Sequence, residues 1–209
     1  MSLQLEAKRQ CLLIAGKSGS GKSTFALRYI VADDSLTCRF LFDPEGEFSV
    51  RLGIGAAKTA EDCELALDDG FVLFDPHTLF PGRLEEALEW FCTFAFDASS
   101  RMPGAKLLLL DEAWKYCSPG SIPVPLATCI QTGRKRGLGM AFCTQRPNRL
   151  NESVTNEVTE LVCFRLQGVN ALERVKELGA DIAEVSALPM GSFVSVNVDS
   201  GAELRGRLW

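Results

Sequence analysis

Residues 16–24 read Gly-Lys-Ser-Gly-Ser-Gly-Lys-Ser-Thr, between the apolar run 11–15, Cys-Leu-Leu-Ile-Ala, and the helix-compatible stretch 25–31. A buried strand that turns through three glycines straight into a helix leaves few folds open. The helix must return across the strand, as in an α/β sheet built from crossover units. The loop also has a chemistry. Its glycines let main-chain N–H groups converge on an anion, and the positive end of the helix dipole points to the same place. The spacing Gly16-x-x-x-x-Gly21-Lys22-Ser23 is that of a phosphate-binding P-loop, in which Lys22 reaches the β- and γ-phosphates and the Ser23 hydroxyl ligates Mg²⁺. Gly16, Lys17, Ser18, Gly19, Ser20, Gly21, Lys22, Ser23 and Thr24 are therefore the expected cradle for ATP.

Short apolar segments alternate with helix-like ones along the rest of the chain. Strands are expected at 11–15, 38–43, 70–74, 106–111, 138–144, 160–166 and 192–198, and helices at 22–32, 60–68, 83–96, 122–135, 152–157 and 169–179. Most of the strands are continuous apolar runs, as when helices cover both sheet faces. The end differs: Val194–Val198 alternates, Asp199-Ser200-Gly201 turns, and 202–208 returns, which reads as a hairpin. The expected architecture is one three-layer α/β domain over 1–209, largely parallel, with ligands at the carboxyl ends of the strands. The strand ending at Asp111 is expected beside the first strand.

Composition excludes several classes. With 46% hydrophobic and 23% charged residues the chain is folded rather than disordered. No apolar run approaches the roughly 20 residues of a membrane span, and residues 1–6 lack the basic and apolar regions of a signal peptide, so a cytoplasmic protein is expected. Eight cysteines contain no Cys-x-x-Cys pair and His77 stands alone, so a zinc cluster is not expected. Cys11, Cys38, Cys143 and Cys163 fall in apolar runs, where a reduced thiol acts as a small hydrophobe. A net charge of −5 argues against a globally basic nucleic-acid binder, so any contact with DNA must be local.

A second constellation lies downstream. Lys-Leu-Leu-Leu-Leu at 106–110 is a buried strand that ends in Asp111 and Glu112. Asp111 at the strand tip suits the Mg²⁺ shell, and Glu112 suits polarisation of the water that attacks the γ-phosphate. The next strand, 138–144, ends at Gln145, whose amide can sense the γ-phosphate. Just before it, Arg134-Lys135-Arg136 forms a basic cluster, and Arg134 or Arg136 suits a finger that reaches a neighbouring subunit's ATP. The alternative for that cluster is a solvated helix end favoured by the macrodipole.

The order of these motifs, together with Phe-Asp-Pro-Glu-Gly-Glu-Phe at 42–48, Leu-Leu-Leu-Leu-Asp-Glu-Ala at 107–113 and Gly-Arg-Lys-Arg-Gly-Leu-Gly-Met-Ala-Phe-Cys-Thr-Gln-Arg-Pro at 133–147, resembles the FtsK–HerA superfamily of DNA-translocating ATPases. The similarity continues through the Asn156 segment, Phe164-Arg165 and 188–194. It implies a RecA-like P-loop fold, Lys22 and Ser23 on phosphate and Mg²⁺, Asp111 and Glu112 in hydrolysis, Gln145 as sensor, and Arg134 as the trans finger, with Arg136 its nearest substitute. It places Asp43 and Glu47 at the active-site rim without fixing their roles. Members are typically hexameric rings that pull duplex DNA through a pore without reading sequence, and Arg83, Arg101 and Lys106 are the candidate pore-facing cations, with an ordinary solvated charge the alternative for each. The bare motor, without appended domains, resembles the genome-packaging ATPases of tailless, membrane-containing double-stranded DNA viruses, which implies a capsid or membrane partner. Two other readings stand beside it: a Zot-like or coupling-type ATPase that exports single-stranded DNA, and a P-loop nucleotide kinase or regulatory module.

Overall fold

Burial on both faces decides how the strands are used. In the computed structural model, which describes residues 11–209, β1 (Cys11–Ala15) and β6 (Glu160–Phe164) are buried at every position. In β4 (Ala105–Leu110) every residue after the first is buried. Successive side chains of such a strand enter opposite layers. Leu107 and Leu109 pack with Phe25, Leu27 and Ile30 of α1 (Lys22–Ala32), whereas Leu108 and Leu110 pack in the other layer with Phe91 and Ala95 of α4 (Leu84–Arg101). The second layer also holds Phe40 and Phe42 of β2 (Leu36–Phe42) and Phe74 of β3 (Phe71–Phe74), whose rings meet Phe91 at 5.1–6.4 Å between centroids. Helices thus cover both faces of one sheet, as the sequence predicts.

The eight strands run in the order β3-β2-β4-β5-β1-β6-β7-β8, with β5 Leu138–Thr144, β7 Ser192–Asn197 and β8 Glu203–Arg207. The pairings from β3 to β6 are all parallel. The pairings β6–β7 and β7–β8 are antiparallel, so the expected hairpin is present. One expectation is corrected. The strand that ends at Asp111 is not beside β1, because β5 pairs with β1 on one edge, Cys11 opposite Met140, and with β4 on the other, Lys106 opposite Leu138. Proximity of Asp111 to the P-loop is achieved by α1, which packs against β5 and carries its first turn across that strand.

The remaining helices are α2 (Glu47–Leu52), α3 (Ala60–Ala66), α5 (Val124–Thr132), α6 (Glu152–Thr155), α7 (Val169–Glu177) and α8 (Ile182–Ala187). Expected helices 83–96 and 122–135 are adjusted: α4 continues to Arg101, and α5 tightens into a 3₁₀ turn over Gly133–Arg136. All eight cysteines are buried and none forms a disulfide. Burial pushes the thiols of Cys63 and Cys117 up to about 12, which leaves them inert as nucleophiles. Among the described residues no helix is long and apolar enough to cross a membrane.

The suggested pore cations fare differently. Lys106 is only 2% exposed. Its Nζ donates to Met102 O at 2.6 Å and to Gly104 O and Arg136 O at 2.9 Å, tying the α4–β4 turn to the one before β5. It is a structural clasp and does not face a pore. Arg83 and Arg101 are exposed, paired with Glu86 and Glu64 respectively. Removing a buried ammonium that donates to three part-buried carbonyls costs more than breaking an exposed pair. Lys106→Met should therefore lower stability by about 3 kcal/mol, read as a reduced urea midpoint at unchanged slope, while Arg101→Ala should lose about 1 kcal/mol or less. Equal small losses would show that the clasp adds nothing.

Candidate active site

The start of the P-loop is pinned by the tips of the two strands that flank β1. Gly16 N donates to Thr144 O at 3.2 Å, and Lys17 N donates to Arg165 O at 2.9 Å. Gly16 has no room for a side chain, since a Cβ would stand 2.6 Å from Ser20 Oγ and 2.7 Å from Phe164 Cβ. Ser18 and Gly19 at the crest are exposed, while Ser20 and Lys22 are buried. Ser20 Oγ, buried in the loop, has no hydrogen-bond partner. Lys22 Nζ turns inward, 3.4 Å from Lys17 O and 3.8 Å from Glu112 Oε1.

Across β5, Asp111 and Glu112 meet this loop. Ser23 Oγ donates to Asp111 Oδ2 at 2.9 Å. Glu112 has φ +44°, making it the sole non-glycine among the described residues with positive φ. Left-handed backbone costs a residue with a Cβ about 1–2 kcal/mol. It is held there by Glu112 N donating to Asp111 Oδ1 at 2.8 Å and by Trp114 Nε1 donating to Glu112 Oε2 at 2.6 Å. The backbone N–H of Gln145 donates to the same Oε2 at 3.5 Å. Lys22, Ser23, Asp111, Glu112 and Gln145, distant in sequence, are thus brought together over β5.

The donor set suits a hard cation. The Ser23 hydroxyl and the Asp111 carboxylate would offer Mg²⁺ oxygen ligands of the hard type it prefers. Among the described residues no cluster of three or more His, Cys, Asp or Glu could hold a metal by itself. The unpartnered Ser20 hydroxyl, the glycine-lined bend and the first turn of α1, whose N–H groups have no intrahelical acceptors, fit a phosphate group in the same way.

Of the other residues singled out in the sequence, Asp43 and Glu47 adjoin the site and Arg134 and Arg136 lie far from it. Asp43 is 3% exposed and accepts hydrogen bonds from Phe48 N and Ser49 N, so it caps α2. Asp43 and Glu47 line a small cavity with Asp111, Glu112 and Tyr116, whose phenol is pushed up to about 12 by burial and by Glu45 and Asp111. Arg134 and Arg136 sit at the opposite, amino-terminal end of the sheet, where Arg134 lines a cavity with Cys11, Lys106 and Leu138. Arg134 is exposed. Arg136 lies 3.9 Å over the Phe96 ring and bonds Ser100 Oγ. Neither is near this chain's own Lys22.

Sequence reasoning missed several groups at the site. Trp114, two residues past Glu112, orients it. Arg146 and Arg149 stand 4.5 and 5.9 Å from the Trp114 ring centre and open, with Lys17, Gln145 and Gln167, onto a cavity of about 550 Å³. Arg51 of α2 donates to Thr24 Oγ1 at 2.9 Å and pairs with Glu47. In-chain arginines therefore do flank the loop. Arg146 was legible within Thr-Gln-Arg-Pro, while Arg51 had no motif to mark it.

No protein-family model matches the sequence, nor does any curated protein. Solved structures do. The genome-packaging NTPase B204 of Sulfolobus turreted icosahedral virus 2, in complex with AMP, has TM-score 0.75 at 18% identity, over 98% of this chain and 100% of that one. VirB4 of Thermoanaerobacter pseudethanolicus has TM-score 0.69 at 13% identity, over 99% of this chain and 91% of that one. The cytoplasmic domain of the type VII secretion ATPase EccC from Thermomonospora curvata has TM-score 0.62 at 15% identity, over 97% of this chain and 26% of that one. At such identities the likeness is one of architecture: the chain has the fold of these P-loop ATPases, a mostly parallel sheet closed by an antiparallel hairpin.

Proposed function

We propose that the chain is an Mg²⁺-dependent ATPase that moves double-stranded DNA without regard to sequence, working as a homo-oligomeric, hexameric ring. The observation that carries the reading is the convergence of Ser23 on Asp111 and of Lys22 on Glu112. It is supported by the fold shared with B204, described as a genome-packaging NTPase and DNA-packaging ATPase.

Each residue has a task in hydrolysis. Lys22 neutralises charge on the β- and γ-phosphates. Ser23 and Asp111 hold Mg²⁺, which when bound supplies electrostatic stabilisation to those phosphates. Glu112 accepts the proton of the attacking water at Oε1, while the Trp114 bond to Oε2 keeps the carboxylate aimed. The Gln145 backbone N–H faces Glu112, and its side-chain amide is assigned to sensing the γ-phosphate. Arg134 is exposed and remote from its own Lys22, which suits a finger that reaches the next subunit of a ring. Duplex DNA meets exposed cations such as Arg83 and Arg101, whose phosphate contacts release counterions. A capsid or membrane partner belongs to the same reading.

Glu112→Gln should leave nucleotide affinity intact and reduce phosphate release by about 10² to 10⁴, whereas Lys22→Ala should lose binding as well. Wild-type turnover in Glu112→Gln would make Glu112 a structural residue only.

Arg134→Ala should bind nucleotide normally yet lose about 10³ to 10⁵ in turnover. Mixing it with Glu112→Gln subunits should restore part of the activity, because some interfaces pair an intact finger with an intact Glu112. Full activity in a strictly monomeric preparation would show that the site is complete in one chain.

A further inference from the structure

One flank of the P-loop carries a surface that phosphate binding does not require. Strand β8 runs back along β7 and brings Leu208 and Trp209 to rest against the loop. Leu208 N donates to Gly191 O at 2.9 Å, and Gly191 N donates to Ser20 O at 3.3 Å. Arg28 of α1 donates to Leu208 O at 2.9 Å. These bonds join the 189–191 turn, the residues after β8 and the P-loop into one piece.

The indole lies directly on glycine. A Cβ on Gly191 would stand 2.5 Å from Trp209 Cε2. A Cβ on Gly21 would stand 3.2 Å from Trp209 Cη2 and 2.8 Å from Leu208 Cδ1. Gly21, with φ +112°, caps α1 and immediately precedes Lys22 and Ser23. Despite this packing Trp209 is 58% exposed, and Met190, next to Gly191, is 39% exposed. A large aromatic surface left open to solvent and adjoined by a second exposed apolar side chain marks a contact site.

Position selects the occupant. A nucleoside triphosphate seated on residues 16–24 carries its ribose and base past the α-phosphate and out along one flank of the loop. On one flank Thr24 is bonded to Arg51, itself paired with Glu47, a charged rim. The Trp209 indole lies against Gly21 and Gly191, with Met190 the next residue to Gly191 and exposed. We propose that Trp209, with Met190, is the platform on which the purine base of the bound nucleotide stacks, and that it sets the base preference of the site. The inference rests on the nucleotide-binding reading above. Stacking an aromatic side chain on a base needs only a π-face, so larger purines should be held more tightly than pyrimidines.

The test compares ATP with inorganic tripolyphosphate, which has the phosphates without the base. Calorimetric titrations, both with Mg²⁺, would be run on the wild type, Trp209→Ala and Trp209→Phe. Trp209→Ala should weaken ATP by about tenfold or more and leave tripolyphosphate within about twofold, and Trp209→Phe should recover most of the loss. Intact tripolyphosphate binding also shows that the variant's loop is folded. Should Trp209→Ala not fold, Trp209→Leu, which keeps apolar bulk without a π-face, carries the same expectation. Equal weakening of both ligands would make the ring a prop for the loop and overturn the proposal. Unchanged ATP affinity would overturn it too, including the case where the variant instead loses oligomeric mass and Trp209 proves a subunit contact. A wild type that binds neither ligand would overturn the nucleotide reading itself, an outcome distinct from these.

Discussion

Strand β5 is the piece on which the site depends. It pairs with β1 along one edge and β4 along the other, so the P-loop and the Asp111–Glu112 pair hang from its two neighbours. Both faces of β5 are buried, which fixes its register against slippage, because a shift of one residue would exchange its two faces. With the register fixed, Thr144 O lies under Gly16 N and the Gln145 backbone N–H lies against Glu112. The first turn of α1 then spans β5 and delivers Ser23 to Asp111. Loss of either pairing would separate the two halves of the site.

Local strain concentrates at the same place. Glu112 accepts an unfavourable backbone conformation, and the bonds from its own N–H to Asp111 and from the Trp114 indole to its carboxylate compensate. The outcome is a carboxylate directed at Lys22 rather than turned into solvent. Strained residues that persist under such constraint cluster at sites of chemistry. The arginines at 146 and 149, over the Trp114 ring, give this carboxylate an indirect link to the basic cleft that they line with Lys17.

Much of this was legible because it is local. A glycine loop between a strand and a helix, and an apolar run ending in Asp-Glu, carry their meaning within a few residues. Strand order does not: nothing in residues 138–144 says that they run between β1 and β4. Helix α2 was missed because its start is specified by Asp43, whose carboxylate caps Phe48 N and Ser49 N from across a turn that reads as a loop. Lys106 was misjudged because its three carbonyl partners come from α4's end, the following turn and residue 136, which only the fold assembles. Trp209 reaches the P-loop for the same reason, through a hairpin that folds the chain back on itself.

The central claim proposed here is that these assembled residues hydrolyse ATP and that duplex DNA stimulates the hydrolysis. Phosphate release from ATP, measured with and without Mg²⁺ and with and without duplex DNA of unrelated sequences at low salt, tests it most directly. The account predicts turnover that needs Mg²⁺, rises with every duplex and loses that rise as salt increases. Hydrolysis indifferent to DNA, or transfer of the γ-phosphate to a nucleotide in place of water, would contradict it.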